Sequence, residues 1–430
     1  MFGQTSRIDS LENKYKVATT DSSRVRILKD ISWEYLNNRG NLQLAETYID
    51  SIYNISQSGN LPWGTSIAHY QYAVLNRQKG DYSEALEHIK QFLDYSREIN
   101  KPFSIANGLY QKALILDNQG EIEESLEIYY DILKIYQDLD DPFSIATTQN
   151  AIGEILKRTG KMEQAMENYQ NALEIFTSLD DKIEIANCLF NIGDTYLQQH
   201  NYIEARSYFF RALQLDEEMD SDWGKAFDYE ALGKVYGEQK SYTQSLNYHQ
   251  RALELREKLG MKLELAMSHN QIALIYLELE NYPLAEKNIK KAITISEEIG
   301  AKTQLQDNYE VLSKIHEASG EYEQALAFKN KAVTLKDSLF NEAKSKQIEE
   351  LQVRYDTEKQ QNAIASLQKD AEINDLKLER QKTLRNILIG VALATTLSFL
   401  YAFKRYKQKQ REKQAIDEKK RAIDAEKKRT

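Results

Sequence analysis

The chain has only four prolines and 17 glycines in 430 residues, too few punctuating residues for a turn-rich sheet protein or a low-complexity tail. With 41% hydrophobic and 28% charged residues, it is predicted to be all-α, built of long helices joined by short turns. A single cysteine, Cys188, excludes an intramolecular disulfide and a cysteine-caged zinc; its expected role is a small core residue. The six histidines (His69, His88, His200, His249, His269 and His316) contain no i, i+4 pair, so neither a metal nor any other cofactor is expected. There is no phosphate-cradling glycine loop and no nucleophile elbow, and pairs such as Glu123-Glu124 read as solvated helix faces. No catalytic residue is expected, and the chain is read as non-enzymatic. The formal charge of -10 is uneven, because residues 404–430 hold 12 Lys/Arg against 5 Asp/Glu. The remainder is strongly acidic, which argues against nucleic acid as a partner.

What is present is a repeat. A turn signal recurs every forty residues: Gly40-Asn-Leu, Gly80-Asp-Tyr, Gly120-Glu-Ile, Gly160-Lys-Met, His200-Asn-Tyr, Lys240-Ser-Tyr, Glu280-Asn-Tyr and Gly320-Glu-Tyr. Five residues after each turn stands a small side chain, in order Ala45, Ala85, Ser125, Ala165, Ala205, Ser245, Ala285 and Ala325. Seven residues before it, from the second repeat on, stand Ala73, Ala113, Gly153, Gly193, Gly233, Ala273 and Ser313. Two small rows on consecutive helices predict close crossing of the two. Between them, large apolar residues recur at helical spacing, as in Ile192 and Tyr196, then Phe209 and Leu213.

This pattern resembles the tetratricopeptide repeat, whose motif is matched by Ile192-Gly193, Tyr196, Tyr202, Ala205, Phe209 and Ala212. The resemblance covers residues 24–340 and implies a right-handed superhelical solenoid of about eight helix-turn-helix repeats, preceded by an N-terminal segment at 1–23. The period departs from the family's typical 34 residues and lacks its closing proline, so the second helix of each repeat is expected to run longer. Pro62, Pro102 and Pro142 fall between repeats, where helices are expected to end.

By the same resemblance, a concave groove lined by the first helix of each repeat would bind a peptide or protein. The expected groove residues are Tyr70, Gln71, Asn107, Tyr110, Gln111, Asn150, Lys157, Arg158, Asn187, Asn191, Asn270 and Gln271. Amides offer both donors and acceptors to an extended backbone, and Lys157 with Arg158 could hold an anion.

After the repeats, residues 341–383 carry Ile348, Leu351, Tyr355, Ile364, Leu367, Ile373 and Leu376 at partly heptad spacing, which predicts a linker helix that is either a coiled coil or packed back on the last repeat. Residues 387–403 run uncharged for 17 positions, and 384–403 is predicted to be one transmembrane helix with Arg385 and Lys404-Arg405 at its ends. A basic heptad helix follows at 404–430, in which Ala415-Ile416-Asp417 recurs as Ala422-Ile423-Asp424. Its charge predicts a cytoplasmic tail and a periplasmic solenoid in a bacterial inner membrane. That topology needs an export signal, yet residues 1–30 lack an apolar run; Phe2-Gly3-Gln4 reads as a mature start after a cleaved leader. The tail stops in mid-heptad, as a helix leading to a further domain would.

This order of parts resembles bacterial single-span signalling receptors with tetratricopeptide sensors, whose output is often a class III adenylate or guanylate cyclase, or a histidine kinase. The resemblance implies a receptor half that binds a ligand, dimerises through linker and tail, and drives an output domain outside these residues. The alternative is a membrane-tethered scaffold for complex assembly with no output domain.

Overall fold

The computed structural model describes residues 2–37 and 41–427, and those residues form 17 helices with no strand. Helix α1 (Phe2–Val17) precedes a regular alternation of A and B helices. The A helices are α2 (Asp21–Asn37), α4 (Pro62–Lys79), α6 (Pro102–Gln119), α8 (Pro142–Arg158), α10 (Lys182–Gln198), α12 (Asp222–Glu238), α14 (Lys262–Glu278) and α16 (Lys302–Ala318). Their B partners are α3 (Leu42–Ser58), α5 (Tyr82–Glu98), α7 (Ile122–Asp138), α9 (Met162–Ser178), α11 (Tyr202–Glu218), α13 (Tyr242–Leu259), α15 (Tyr282–Glu298) and the start of α17 (Tyr322–Lys427). Residues 1–350 and 351–430 form separate units.

The forty-residue period is a pair of twenty-residue periods. From Asn60 to Gly320, a residue with positive φ stands at every twentieth position. Asn60, Asn100, Asp140, Asp180, Asp220, Gly260 and Gly300 close the B helices, and Gly80, Gly120, Gly160, His200, Lys240, Glu280 and Gly320 close the A helices. Each lets the chain reverse while satisfying the last carbonyls. At Gly80, the Gly80 amide donates to Arg77 O at 3.1 Å and the Asp81 amide to Asn76 O at 2.8 Å, and the same pair recurs at the other turns. Asn and Asp tolerate this conformation; His200, Lys240 and Glu280 adopt it at a cost of about 1–2 kcal/mol each. The first turn signal, Gly40, lies outside the described residues.

The small rows bury where the sequence places them. Ala45, Ala85, Ser125, Ala165, Ala205, Ser245 and Ala285 are fully buried. The Ser125 hydroxyl donates to Ala113 O at 2.8 Å and the Ser245 hydroxyl to Gly233 O at 2.7 Å, so each B helix lies directly on the A-helix backbone. The glycines of the preceding row make room for a ring. A Cβ on Gly153, Gly193 or Gly233 would stand 2.7–2.9 Å from Tyr169, Phe209 or His249, while Ala73 and Ala273 stand at that register where the B helix brings Ile89 and Ile289.

Two expectations change, and the N-terminal segment proves helical. A and B helices are equally long, at 17 or 18 residues, so lengthening is not confined to B. Pro62, Pro102 and Pro142 begin A helices, at the first helical position, where the missing N–H has no intrahelical partner to lose. Residues 1–23 hold helix α1, tied to the first repeat by Arg7–Glu34 at 3.0 Å and by the Tyr48 hydroxyl donating to Glu12 at 3.0 Å.

In the second unit, α17 runs without a break through the expected linker, span and tail. The stretch Ser366–Ile423 contains a window of mean hydropathy 1.8, long and apolar enough to cross a membrane, and none of that window is buried. Ile348, Leu351 and Tyr355 of the expected heptad seam lie outside the described side chains; Ile364, Leu367, Ile373 and Leu376 are exposed.

Candidate functional site

Neighbouring A helices touch one another, α2 with α4, α4 with α6, α8 with α10, α10 with α12 and α14 with α16, whereas the B helices make no comparable contact among the described residues. The A helices therefore occupy the inner side of the bend and form the concave face.

Many of the amides predicted for that face are engaged between repeats. Gln71 is buried: it accepts from the Ser32 hydroxyl at 2.9 Å and donates to Lys29 O at 2.9 Å. Gln111, also buried, donates to the Tyr70 hydroxyl at 3.3 Å. Asn191 donates to Asn150 at 3.1 Å, and buried Asn270 donates to Asn308 at 2.7 Å. Asn107 accepts from the Tyr136 hydroxyl at 2.9 Å, and Asn187 donates to Glu184 at 3.3 Å. Tyr70 packs on Phe92 and Tyr110 on Tyr129, and burial raises both phenols above their ordinary value. Gln271 is half-buried. Buried amides must find partners, and adjacent repeats supply them.

Lys157 and Arg158, expected to hold an anion, are likewise engaged between repeats. Lys157, 11% exposed, pairs with Asp194 of the next repeat at 2.7 Å, and Arg158 pairs with Asp117 of the preceding one. Each cation is already neutralised by a neighbour. The histidines are less scattered than their numbering suggests, since Nδ1 of His69 on α4 and Nδ1 of His88 on α5 lie 3.0 Å apart. Burial lowers both below their ordinary value. No metal cluster occurs among the described residues.

The face opens into a cavity of about 290 Å³ between α10, α12 and α14, lined by Phe190, Asp194, Leu197, Phe227, Glu230, Ala231, Lys234, Arg256, Glu264 and Met267. Five of the lining residues are apolar, and the charges sit at fixed positions. Arg256 is buried to 1% exposure, pairs with Glu230, and donates to the Ser268 hydroxyl at 2.6 Å and to Glu264 O at 3.2 Å. Its guanidinium stands 5.4 Å from the Phe227 ring, and its Nε has no hydrogen-bond partner among the described residues. Burial alone would raise Glu230, but Lys234 and Arg256 outweigh it and hold the carboxyl down at about 2.

A second buried acid of α12 faces the other way. Asp228 shares a hydrogen bond with Asp216 of α11, and burial with the Asp216 charge pushes Asp228 up to about 9. The Asp216 carboxyl occupies the space a side chain on Gly224 would need, 2.2 Å from its Cβ position. Helix α12 thus carries one carboxyl held ionised and one held protonated, two positions apart.

None of Phe190, Asp194, Phe227, Glu230, Lys234 or Met267 was singled out by residue type, although all stand at registers six, ten or thirteen residues before a turn. The signal was available: the same registers, read in every repeat without a preference for amides. Arg256 stands on a B helix, outside those registers.

Stacked helical hairpins with an A-lined inner face define an α-solenoid. Its repeat is the tetratricopeptide repeat: that family's model matches residues 144–218, 226–298 and 264–338. The apo form of RapI superposes with a TM-score of 0.52 at 15% identity, over 64% of this chain and 99% of that one. A STAND signal-transduction ATPase with a tetratricopeptide repeat sensor, from Pyrococcus horikoshii, gives 0.53 at 17% identity, over 73% of this chain and 54% of that one. At these identities the likeness is one of fold. No curated protein sequence matches the chain.

Proposed function

We propose that the chain is a membrane-anchored sensor and transducer whose concave face binds a peptide or protein segment. The observation that carries this reading is the cavity between α10, α12 and α14, where Phe190, Phe227 and Met267 offer apolar walls beside the buried Arg256–Glu230 pair. A side chain with an apolar body and a polar tip suits such a site, because the walls take the body while the charges orient the tip. Residues 384–403 form the anchor, supported by an uncharged run with no burial. The basic tail favours a cytoplasmic C-terminal side and a periplasmic solenoid. Linker and tail helices pair in a homodimer, and binding alters their packing to drive a dimeric output, cyclase-like first and histidine-kinase-like next.

Panning a random peptide library against the detergent-solubilised chain tests the binding reading. Recovered peptides are expected to lose about tenfold in affinity, or about 1.4 kcal/mol, with Phe227→Ala or Met267→Ala. Recovery of no binder, or of binders indifferent to both substitutions, contradicts it.

A further inference from the structure

One row of side chains stays largely exposed along an edge, although Phe143 meets the buried Phe176 and Trp223 meets Phe227. The second residue of successive A helices is Phe103, Phe143, Ile183, Trp223 and Leu263, and these are 51%, 45%, 62%, 57% and 42% exposed. The last residue before four of the five preceding left-handed turns adds Ile99, Leu139, Leu179 and Leu259, also exposed, while the fifth, Met219, is half-buried. Both series repeat at forty residues, so they form one continuous apolar ladder along the edge where each B helix hands over to the next A helix. Single exposed apolar residues are ordinary, but a ladder of this length marks a contact surface.

Its surroundings specify the partner. The three central turns, residues 138–143, 178–183 and 217–223, contain nine Asp/Glu and one lysine, Lys182. Lys182 pairs with Glu218, and Lys225 with Asp220 and Asp222, while Asp138 and Asp140 have no ion pair among the described residues. An acidic frame repels the anionic surface of a bilayer and attracts a cationic segment.

We infer that this edge docks a basic amphipathic helix of a partner protein, its apolar stripe on Leu139, Phe143, Leu179, Ile183 and Trp223 and its cations facing Asp138, Asp140, Asp180 and Asp220. The edge adjoins the concave face at Trp223, whose ring centroid lies 4.5 Å from that of the cavity-wall residue Phe227, whereas Leu139, Phe143, Leu179 and Ile183 do not line the cavity.

A synthetic lysine-leucine peptide with leucines at three- and four-residue spacing is the probe, titrated against the full chain in detergent micelles, with Trp223 emission and anisotropy as readouts. The peptide is expected to blue-shift Trp223, and a scrambled peptide of the same composition is not. Phe143→Ser with Ile183→Ser is expected to weaken binding at least tenfold. The triple variant Asp140→Asn, Asp180→Asn, Asp220→Asn is expected to weaken it and flatten its salt dependence. That variant keeps the turns, because Asn60 and Asn100 already hold the same conformation at equivalent positions. Lys234→Ala, in the groove, leaves binding unchanged. The inference is overturned if the triple variant binds like wild type, if a glutamate-leucine peptide binds as well, or if phosphatidylserine vesicles shift Trp223 more than the peptide does.

Discussion

Residues 1–350 and the helix beyond them use one secondary structure under two regimes. In the repeats, every helix buries a stripe against neighbours, and the buried set recurs with the period of the turns. In residues 366–423, helix α17 buries nothing of its most apolar window. Stability in the first region comes from side chains meeting within the chain. In the second, the most apolar window lies exposed within the chain, and in the function proposed for it lipid covers the uncharged run at 387–403.

Substitutions sharpen that contrast by acting on one region and sparing the other. The largest expected effect is Arg256→Met, which removes one partner of a buried ion pair and costs about 3–5 kcal/mol locally. Hydrogen exchange should show α12 to α14 opening while α17 is unchanged. Next, Leu393→Arg in the span opposes insertion by about 3 kcal/mol, read as loss of flotation with liposomes while the repeats melt as before. Gly193→Ala follows, at about 1–3 kcal/mol, because its methyl would stand 2.9 Å from the Phe209 ring.

The acid pair gives a pH signature confined to the repeats. Asp228 titrates at about 9 when folded against an ordinary value of 3.8. Its stabilising contribution is complete below about pH 4 and is lost as pH rises toward about 9. Wild-type thermal melts should therefore decline between pH 5 and 8, and Asp228→Asn should flatten that decline with little change near pH 4. The smallest effect is a gain: His200→Gly, Lys240→Gly and Glu280→Gly each relieve a left-handed residue and should raise the melting midpoint by the equivalent of about 1 kcal/mol.

The period made the fold legible, because Gly80, Gly120 and Gly160 mark turns that backbone sterics demand, and Ala85, Ser125 and Ala165 mark crossings that admit nothing larger. The second set of turns was less visible. Asn60, Asp140 and Gly260 are different residues serving one backbone conformation, and they match only when conformation rather than identity is compared. The groove was half legible. Gln71 and Asn270 are amides because buried polar groups between repeats need partners, which one sequence cannot distinguish from amides awaiting a ligand. Arg256 was invisible because its register holds Ser96, Tyr136, Phe176 and Asp216 in other repeats, all buried and chemically unrelated.

Protease treatment of the chain reconstituted in liposomes tests the division of labour between the two regions most directly. The account predicts a lipid-protected fragment containing Ile387 to Phe403 and a released, folded repeat region that still melts cooperatively. A chain that stays in the aqueous fraction, or a fragment whose protection begins within the repeats, would contradict it.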